Sequence, residues 1–324
     1  MDRKQLILTD TYELWRSLFH DEASVVPYPY KGFRKGTLGF LFYRITHSKR
    51  LGCPFIRLWN KRVISKWGKI KENDILIVMN PAIWSWYMHI DMIEELKKRN
   101  VKLVLLIVDS MRTMRREFSE KIEAYAPYFD LIYTFDIADA KKYGWKHSYS
   151  YYSKIQPVQP MGEKTDVLCI LYNSGRILKV TQIWDILQKK NLKCYFAVNG
   201  VSEEEKKTYY REGIVYNKQY SYEEIIGYVL QTKVILEVTQ DYQSGCTLRA
   251  FEATVYGKRL LTNSSEINSF PFYNHRYMRS FSDVNDIDAM ETDFFTIDEI
   301  ANYNYNGELS PKHLYNQIYE YFGQ

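Results

Sequence analysis

Cysteine is scarce, and what little there is points away from metal ribbons and disulfide frameworks. The four residues Cys53, Cys169, Cys194 and Cys246 show no CxxC spacing and follow no secretion-type leader, so free thiols in a cytoplasmic protein are expected. Long apolar runs are also missing. The most apolar stretch, VKLVLLIV at 101–108, falls far short of the roughly 20 residues that cross a bilayer. None of the six histidines belongs to an HExxH pattern, so no zinc site is expected. No GxGxxG follows the first strand-like run, and neither GxxxxGK[ST] nor GxSxG occurs. These gaps argue against a dinucleotide fold, a P-loop NTPase and the usual hydrolase elbow.

Negative charge is missing from one long stretch. Residues 31–71 hold twelve Lys or Arg and no Asp or Glu, against a net charge of +5 for the whole chain. Such a segment is drawn to anionic lipid, nucleic acid or phosphorylated substrates. Aromatic and apolar residues interleave with it, notably Phe40, Phe42, Phe55, Trp59 and Trp67. Around CPFIRLWNKRVISKW at 53–67 two readings stay open: an interfacial helix with a basic border, or a core helix whose basic face meets water. Tyrosine is abundant at 29 residues, which suits amphipathic contacts, some with sugar or lipid headgroups.

With 324 residues, 46% hydrophobic and 26% charged, the chain reads as a soluble globular protein of two domains. Strand-like runs at 6–10, 75–80, 101–109 and 130–136 alternate with helical patterns, one spanning Ser85 to Arg99. Runs apolar throughout suit parallel strands covered on both faces. The Pro- and Gly-bearing segment 149–165 then precedes a fresh strand, DVLCILYN, and the alternation resumes. The expected fold class is α/β, with two Rossmann-like domains facing a cleft. Domains are expected at 1–160 and 161–310, followed by a helix at 311–324, opened by Pro311 after Ser310, that packs back on the body.

The stretch from Glu237 to Asn263, EVTQDYQSGCTLRAFEATVYGKRLLTN, looks like a polar site around a helix start. The loop DYQSG carries Ser244 and Gly245. Thr247 reads as a cap, and Arg249 and Glu252 sit three apart on one helical face. Unpaired N–H groups at a helix start, with an arginine fork in the first turn, suit a diphosphate. The carboxylate of Glu252, which only accepts hydrogen bonds, suits ribose hydroxyls. The bland alternative is a solvated ion pair beside an ordinary turn.

Other strand ends supply further candidates. In NSGR at 173–176, Gly175 lets backbone approach a ligand and Arg176 reaches phosphate, unless the motif is a plain turn. Asp109, expected at the poorly solvated end of a buried strand, either caps the next helix or meets substrate. General acid or base work could fall to Asp109, His89 or Asp136. Arg176 and Arg249 would stabilise a leaving diphosphate without requiring a metal.

Four segments carry a resemblance: YTFDIADAKKYGWKH at 133–147, NSGR at 173–176, YSYEEIIGYVLQTKVILEV at 220–238, and QSGCTLRAFEATVYGKRLLTN at 243–263. From about residue 75 to its end the chain resembles bacterial GT-B-type glycosyltransferases of surface-polysaccharide and lipopolysaccharide biosynthesis, related to the CgeB-like group. The resemblance implies a nucleotide-sugar as donor substrate, with no other cofactor. It implies a C-terminal donor domain with Arg249 and Glu252 at the donor and Gly175 and Arg176 in the crevice; the helix start itself, with Ser244, Gly245 and Thr247, is expected to bind the same donor. It also implies an N-terminal domain for a saccharide or lipid-linked acceptor at the inner membrane face, which the basic segment suits. Glu237 and Glu252 are fifteen apart rather than separated by seven residues as in better-known retaining families, so the stereochemical outcome stays open. Two other classes remain: a nucleic-acid module using residues 31–71, and a noncatalytic polysaccharide-assembly scaffold.

Overall fold

The computed structural model describes residues 5–9, 25–27, 38–46, 58, 60–61, 64, 70–84, 88–149, 151–155, 158–240 and 246–323. The chain divides into two compact units, Met1–Tyr149 and Ser150–Gln324.

The first unit holds strands β1 (Gln5–Thr9), β2 (Val25–Pro27), β3 (Ile75–Met79), β4 (Lys102–Ile107), β5 (Leu131–Thr134) and β6 (Lys146–His147). They form one sheet in the order β2-β1-β3-β4-β5-β6, and every pairing is parallel. Its described helices are α1 (Leu38–Thr46), α2 (Asn80–Trp84), α3 (Ile90–Lys98), α4 (Arg116–Tyr125) and α5 (Ile137–Tyr143). The ILIVM of β3 is buried along its whole length, as a strand covered on both faces must be. Leu76, Val78, Leu103 and Leu105 join Met92, Ile93 and Leu96 of α3 and Ile122 of α4 in one core.

The single helix expected from Ser85 to Arg99 is shorter. α2 begins directly at the end of β3, and α3 starts only at Ile90, because His89 is extended (φ −91°, ψ 152°) and occupies the cap position.

The second unit repeats the plan with β7 (Thr165–Tyr172), β8 (Cys194–Asn199), β9 (Ile214–Tyr216), β10 (Thr232–Glu237), β11 (Arg259–Thr262) and β12 (Met278–Ser280). The order is β12-β11-β10-β7-β8-β9, again parallel at every pairing. After β7 the chain builds outward through β8 and β9, then returns to lay β10 on the other side of β7. That reversal makes the carboxyl ends of β7 and β10 the switch point of the sheet, the place where such folds bind ligands.

Helices α6 (Ile177–Lys189), α7 (Glu203–Tyr209), α8 (Tyr222–Gln231) and α9 (Leu248–Tyr256) follow successive strands. α7 and α8 each begin with a capping box, Ser202 with Glu205 and Ser221 with Glu224, which satisfies two otherwise orphaned N–H groups reciprocally. Short helices α10 (Asn285–Asp288) and α11 (Asp293–Thr296) precede α12 (Pro311–Tyr321). α12 opens with Pro311 in its first turn after an extended Ser310. It lies in the second unit, where Tyr151 Oη donates to Gln317 (3.4 Å) and Tyr152 N donates to the Leu309 carbonyl (2.7 Å). Val167, Val234, Leu236 and Leu261 of the strands pack with Ile183, Trp184 and Leu187 of α6 in a second core. Among the described residues no helix is long and apolar enough to cross a membrane.

Candidate functional site

The loop after β7 is a tight turn. Arg176 N donates to the Asn173 carbonyl at 2.8 Å, and positive φ at Ser174 (40°) and Gly175 (81°) gives the turn the hand that glycine tolerates best. Around the place where a Cβ on Gly175 would sit, nothing described lies within 4 Å, so the backbone is open to close approach. Asn173 is buried beneath. Its Oδ1 accepts from Ile177 N (2.9 Å), and its Nδ2 donates to Glu205 (2.8 Å).

Arg176 directs its guanidinium at main-chain carbonyls. Nε donates to Asn173 O (3.1 Å), one terminal nitrogen to Val238 O (2.5 Å), and the other to Tyr172 O. The side chain expected to reach phosphate therefore laces the carboxyl ends of β7 and β10 together.

Glu237, the last residue of β10, is buried and accepts from the hydroxyls of Thr262 (2.5 Å) and Thr247. Burial pushes its carboxyl above the usual range, while the two threonines and Arg249 pull the other way. Thr247 in turn caps α9, its Oγ1 accepting from Arg249 N (3.2 Å). The loop after β10 is tied to the end of β11, because Asn263 Oδ1 accepts from Thr239 N (2.6 Å) and its Nδ2 donates to Thr239 O (3.2 Å). These contacts fix the start of α9 against the switch point.

Arg249 and Glu252 share one helical face and pair directly, but they are not the solvated pair of the bland reading. Glu252 is 0% exposed and the Arg249 side chain 20%. One terminal nitrogen of Arg249 donates to Glu252, and the other donates to the Ile170 carbonyl of β7 (3.1 Å). Burial disfavours the charged guanidinium, yet Glu252 offsets this by its charge and hydrogen bond, and the pKa lies above the ordinary arginine value. Two of the five N–H donors are thereby used. The other three find no protein partner among the described residues.

The second oxygen of Glu252 accepts from Tyr222 Oη of α8 (2.9 Å), whose hydroxyl lies 2.9 Å from that of the fully buried Tyr152. Burial drives both phenols far above their usual range. Neither tyrosine was singled out in the sequence. Their partners lie 30 and 70 residues away, and no local pattern reports such contacts. Ser244 and Gly245 lie outside the described residues.

In the first unit Asp109 is exposed. β4 ends at Ile107, so the carboxylate stands on a turn beyond the buried strand, where Asn80 Nδ2 donates to it at 3.5 Å. It does not cap α4, whose cap position is Arg115. His89 sits at the cap of α3 without a side-chain cap bond, and its Nδ1 is 3.7 Å from Asp91. Asp136 is fully buried and caps α5, accepting from the amides of Ala138 (2.8 Å) and Asp139 (3.2 Å), with Arg112 at 3.6 Å. Among the described residues no group of three or more His, Cys, Asp or Glu is placed to hold a metal ion. Of the basic segment, Lys61 is exposed, while Arg62, Lys66 and most of 53–67 lie outside the described residues.

No family model and no curated protein matches the chain, but solved structures do. A UDP-N-acetylglucosamine 2-epimerase, 11% identical, matches over 100% of this chain and 98% of its own with a TM-score of 0.54. An α-glucosyltransferase in complex with UDP-glucose and DNA containing an abasic site, 11% identical, matches over 98% and 84% with a TM-score of 0.52. The fold is of the GT-B type. Accessory secretory protein 1, 2 and 3 of Streptococcus pneumoniae also matches, 10% identical over 81% of this chain with a TM-score of 0.51. This chain spans 57% of that one's length. At such identities what is shared is the GT-B fold, and chemistry has to be argued from side chains.

Proposed function

We propose that the second unit binds the diphosphate of a nucleotide-sugar at the first turn of α9 and that the protein transfers the sugar to a saccharide or lipid-linked acceptor in surface-polysaccharide synthesis. The observation that carries this reading is Arg249, fixed at the switch point with three N–H donors unclaimed among the described residues. In the transfer, the bond from the anomeric carbon to the diphosphate breaks, a bond to an acceptor oxygen forms, and the acceptor proton passes to a base. Negative charge grows on the leaving diphosphate. Arg249 and the N-terminus of α9 are the groups here that stabilise it.

The open turn at Gly175 gives backbone room beside the phosphates, and Thr247 and Glu237 hold the helix start in place. Glu252, enclosed by Arg249 and Tyr222, acts in this reading as the counter-ion of Arg249 rather than as a ribose ligand. Asp109, exposed, and His89 are the first-unit groups assigned to the acceptor proton. Docking on anionic membrane draws support from α1, where Leu38, Leu41 and Ile45 share one face at 86%, 55% and 37% exposure within the acid-free segment. A second reading, 2-epimerisation of the nucleotide-sugar, uses the same donor site. It is favoured by the match to the epimerase over nearly the full length of both chains.

Calorimetric titration with uridine, guanosine and cytidine diphosphates and their sugars tests the donor site. Arg249→Ala alone would strand the buried Glu252 charge, at a cost of about 3–5 kcal/mol, so the informative variant is Arg249→Met with Glu252→Gln. The parent should bind one diphosphate family and the folded double variant should lose it. Equal binding by both ends the proposal. Product analysis separates a glycosylated acceptor from an epimerised sugar. Flotation with anionic vesicles tests docking, which Lys61→Glu, Arg62→Glu and Lys66→Glu together should weaken, and unchanged flotation removes the membrane from the account.

A further inference from the structure

Resting on that donor site, we infer that Tyr222, backed by Tyr152, is a positioning residue that keeps Glu252 from engaging Arg249 with both oxygens and so preserves the arginine's N–H groups for an anion. A carboxylate beside a guanidinium prefers the parallel two-bond arrangement, which is stronger and takes two donors. At i and i+3 on α9, Glu252 is close enough to adopt it. It does not: one oxygen meets Arg249, and the other is held 2.9 Å from the Tyr222 hydroxyl.

Tyr222 reaches across from the first turn of α8, which its neighbour Ser221 caps. A phenol has one proton, and a carboxylate is its strongest acceptor here. Tyr222 therefore donates to Glu252, and the Tyr152 hydroxyl, 2.9 Å away, donates to the Tyr222 oxygen. Tyr152 is itself fixed, fully buried with its amide bonded to the Leu309 carbonyl (2.7 Å). With the Tyr222 hydroxyl gone, the freed oxygen turns onto Arg249. The guanidinium then loses a donor and more of its field is neutralised, with no loss of side-chain volume around it.

The consequence is specific to charge. Tyr222→Phe should bind the matching nucleoside diphosphate about tenfold more weakly, while binding of the uncharged nucleoside stays as in the parent. Tyr152→Phe should weaken diphosphate binding in the same direction by less, and adding Glu252→Gln to Tyr222→Phe should restore part of it, because a neutral amide cannot neutralise the arginine. A merely structural tyrosine would weaken nucleoside and diphosphate together and would not be rescued. The probes are uridine, guanosine and cytidine diphosphate with their nucleosides, titrated by calorimetry after the melting temperature has shown each variant folded. Should Tyr222→Phe not fold, Tyr152→Phe gives the same split reading. If the parent binds a diphosphate and the folded tyrosine variants bind it equally well, the positioning role is wrong and the donor site stands. If the parent binds none of the three, both fall.

Discussion

At Asp139 two forces on one carboxyl oppose each other. Burial pushes its pKa above the usual aspartate value, and the hydrogen bond from Met111 N (2.7 Å) works against that push. Its other oxygen has no hydrogen-bond partner among the described residues. Because the folded pKa is raised, the native state keeps a proton that the unfolded chain releases. The stabilisation is complete below about pH 4, the ordinary aspartate range, and is lost as pH rises through the folded value. Asp139→Asn keeps an acceptor for Met111 and removes the titration, so the melting temperature of the variant minus that of the parent should grow as pH is raised from about 4 to about 7. A difference flat across that range would show that Asp139 is charged in the fold. Residues whose partners are close in sequence were legible beforehand: Thr247 as a cap, and Arg249 with Glu252 on one face. Tyr152 and Tyr222 were not, because their bonds close only when distant segments meet, and of Asn173 only the bond to Glu205, 32 residues away, escaped the local motif. Asp109 stands in solvent rather than at a buried strand end because β4 stops at Ile107, two residues before the end of the strand-like run 101–109.

Among the elements, those with a full period of apolar residues were legible to within a few positions. β3, β4 and β7 lie where the runs at 75–80, 101–109 and DVLCILYN placed them, and α9 starts directly after Thr247, the residue that reads as its cap. The short edge strands β2, β6, β9 and β12 were not read. At two or three residues each, they carry too few side chains to show a period and exist because a neighbouring strand offers unpaired backbone. α8 illustrates a close approach that no pattern discloses. A Cβ on Gly227 would lie 2.9 Å from the Gln159 carbonyl and 2.7 Å from Met161 Cγ, and Met161 N donates to the Gly227 carbonyl (3.0 Å). Gly227→Ala, favourable by helix propensity, should instead destabilise by about 1–3 kcal/mol through overpacking. Urea unfolding checks this, and a variant as stable as the parent would show that segment 159–161 yields freely.

For the whole molecule, each unit carries its own apolar core, one drawn from residues 64–132 and the other from 167–295. Leu187 is fully buried in the second. Leu187→Ala should cost that unit about 2–5 kcal/mol, seen as faster hydrogen exchange at the amides of β7 and β10 while those of β3 and β4 keep their protection. Equal acceleration in both sheets would mean that the units unfold together. The same strand order has a consequence during synthesis. β7 is a middle strand, and one of its flanks stays bare until β10 has left the ribosome, 65 residues after Tyr172. At about 5–20 residues per second that is on the order of 3–13 s, during which the amides and carbonyls of VLCIL offer themselves to any passing nascent chain. Rapid overproduction should therefore send this polypeptide into inclusion bodies through that open flank, and slower translation should spare it.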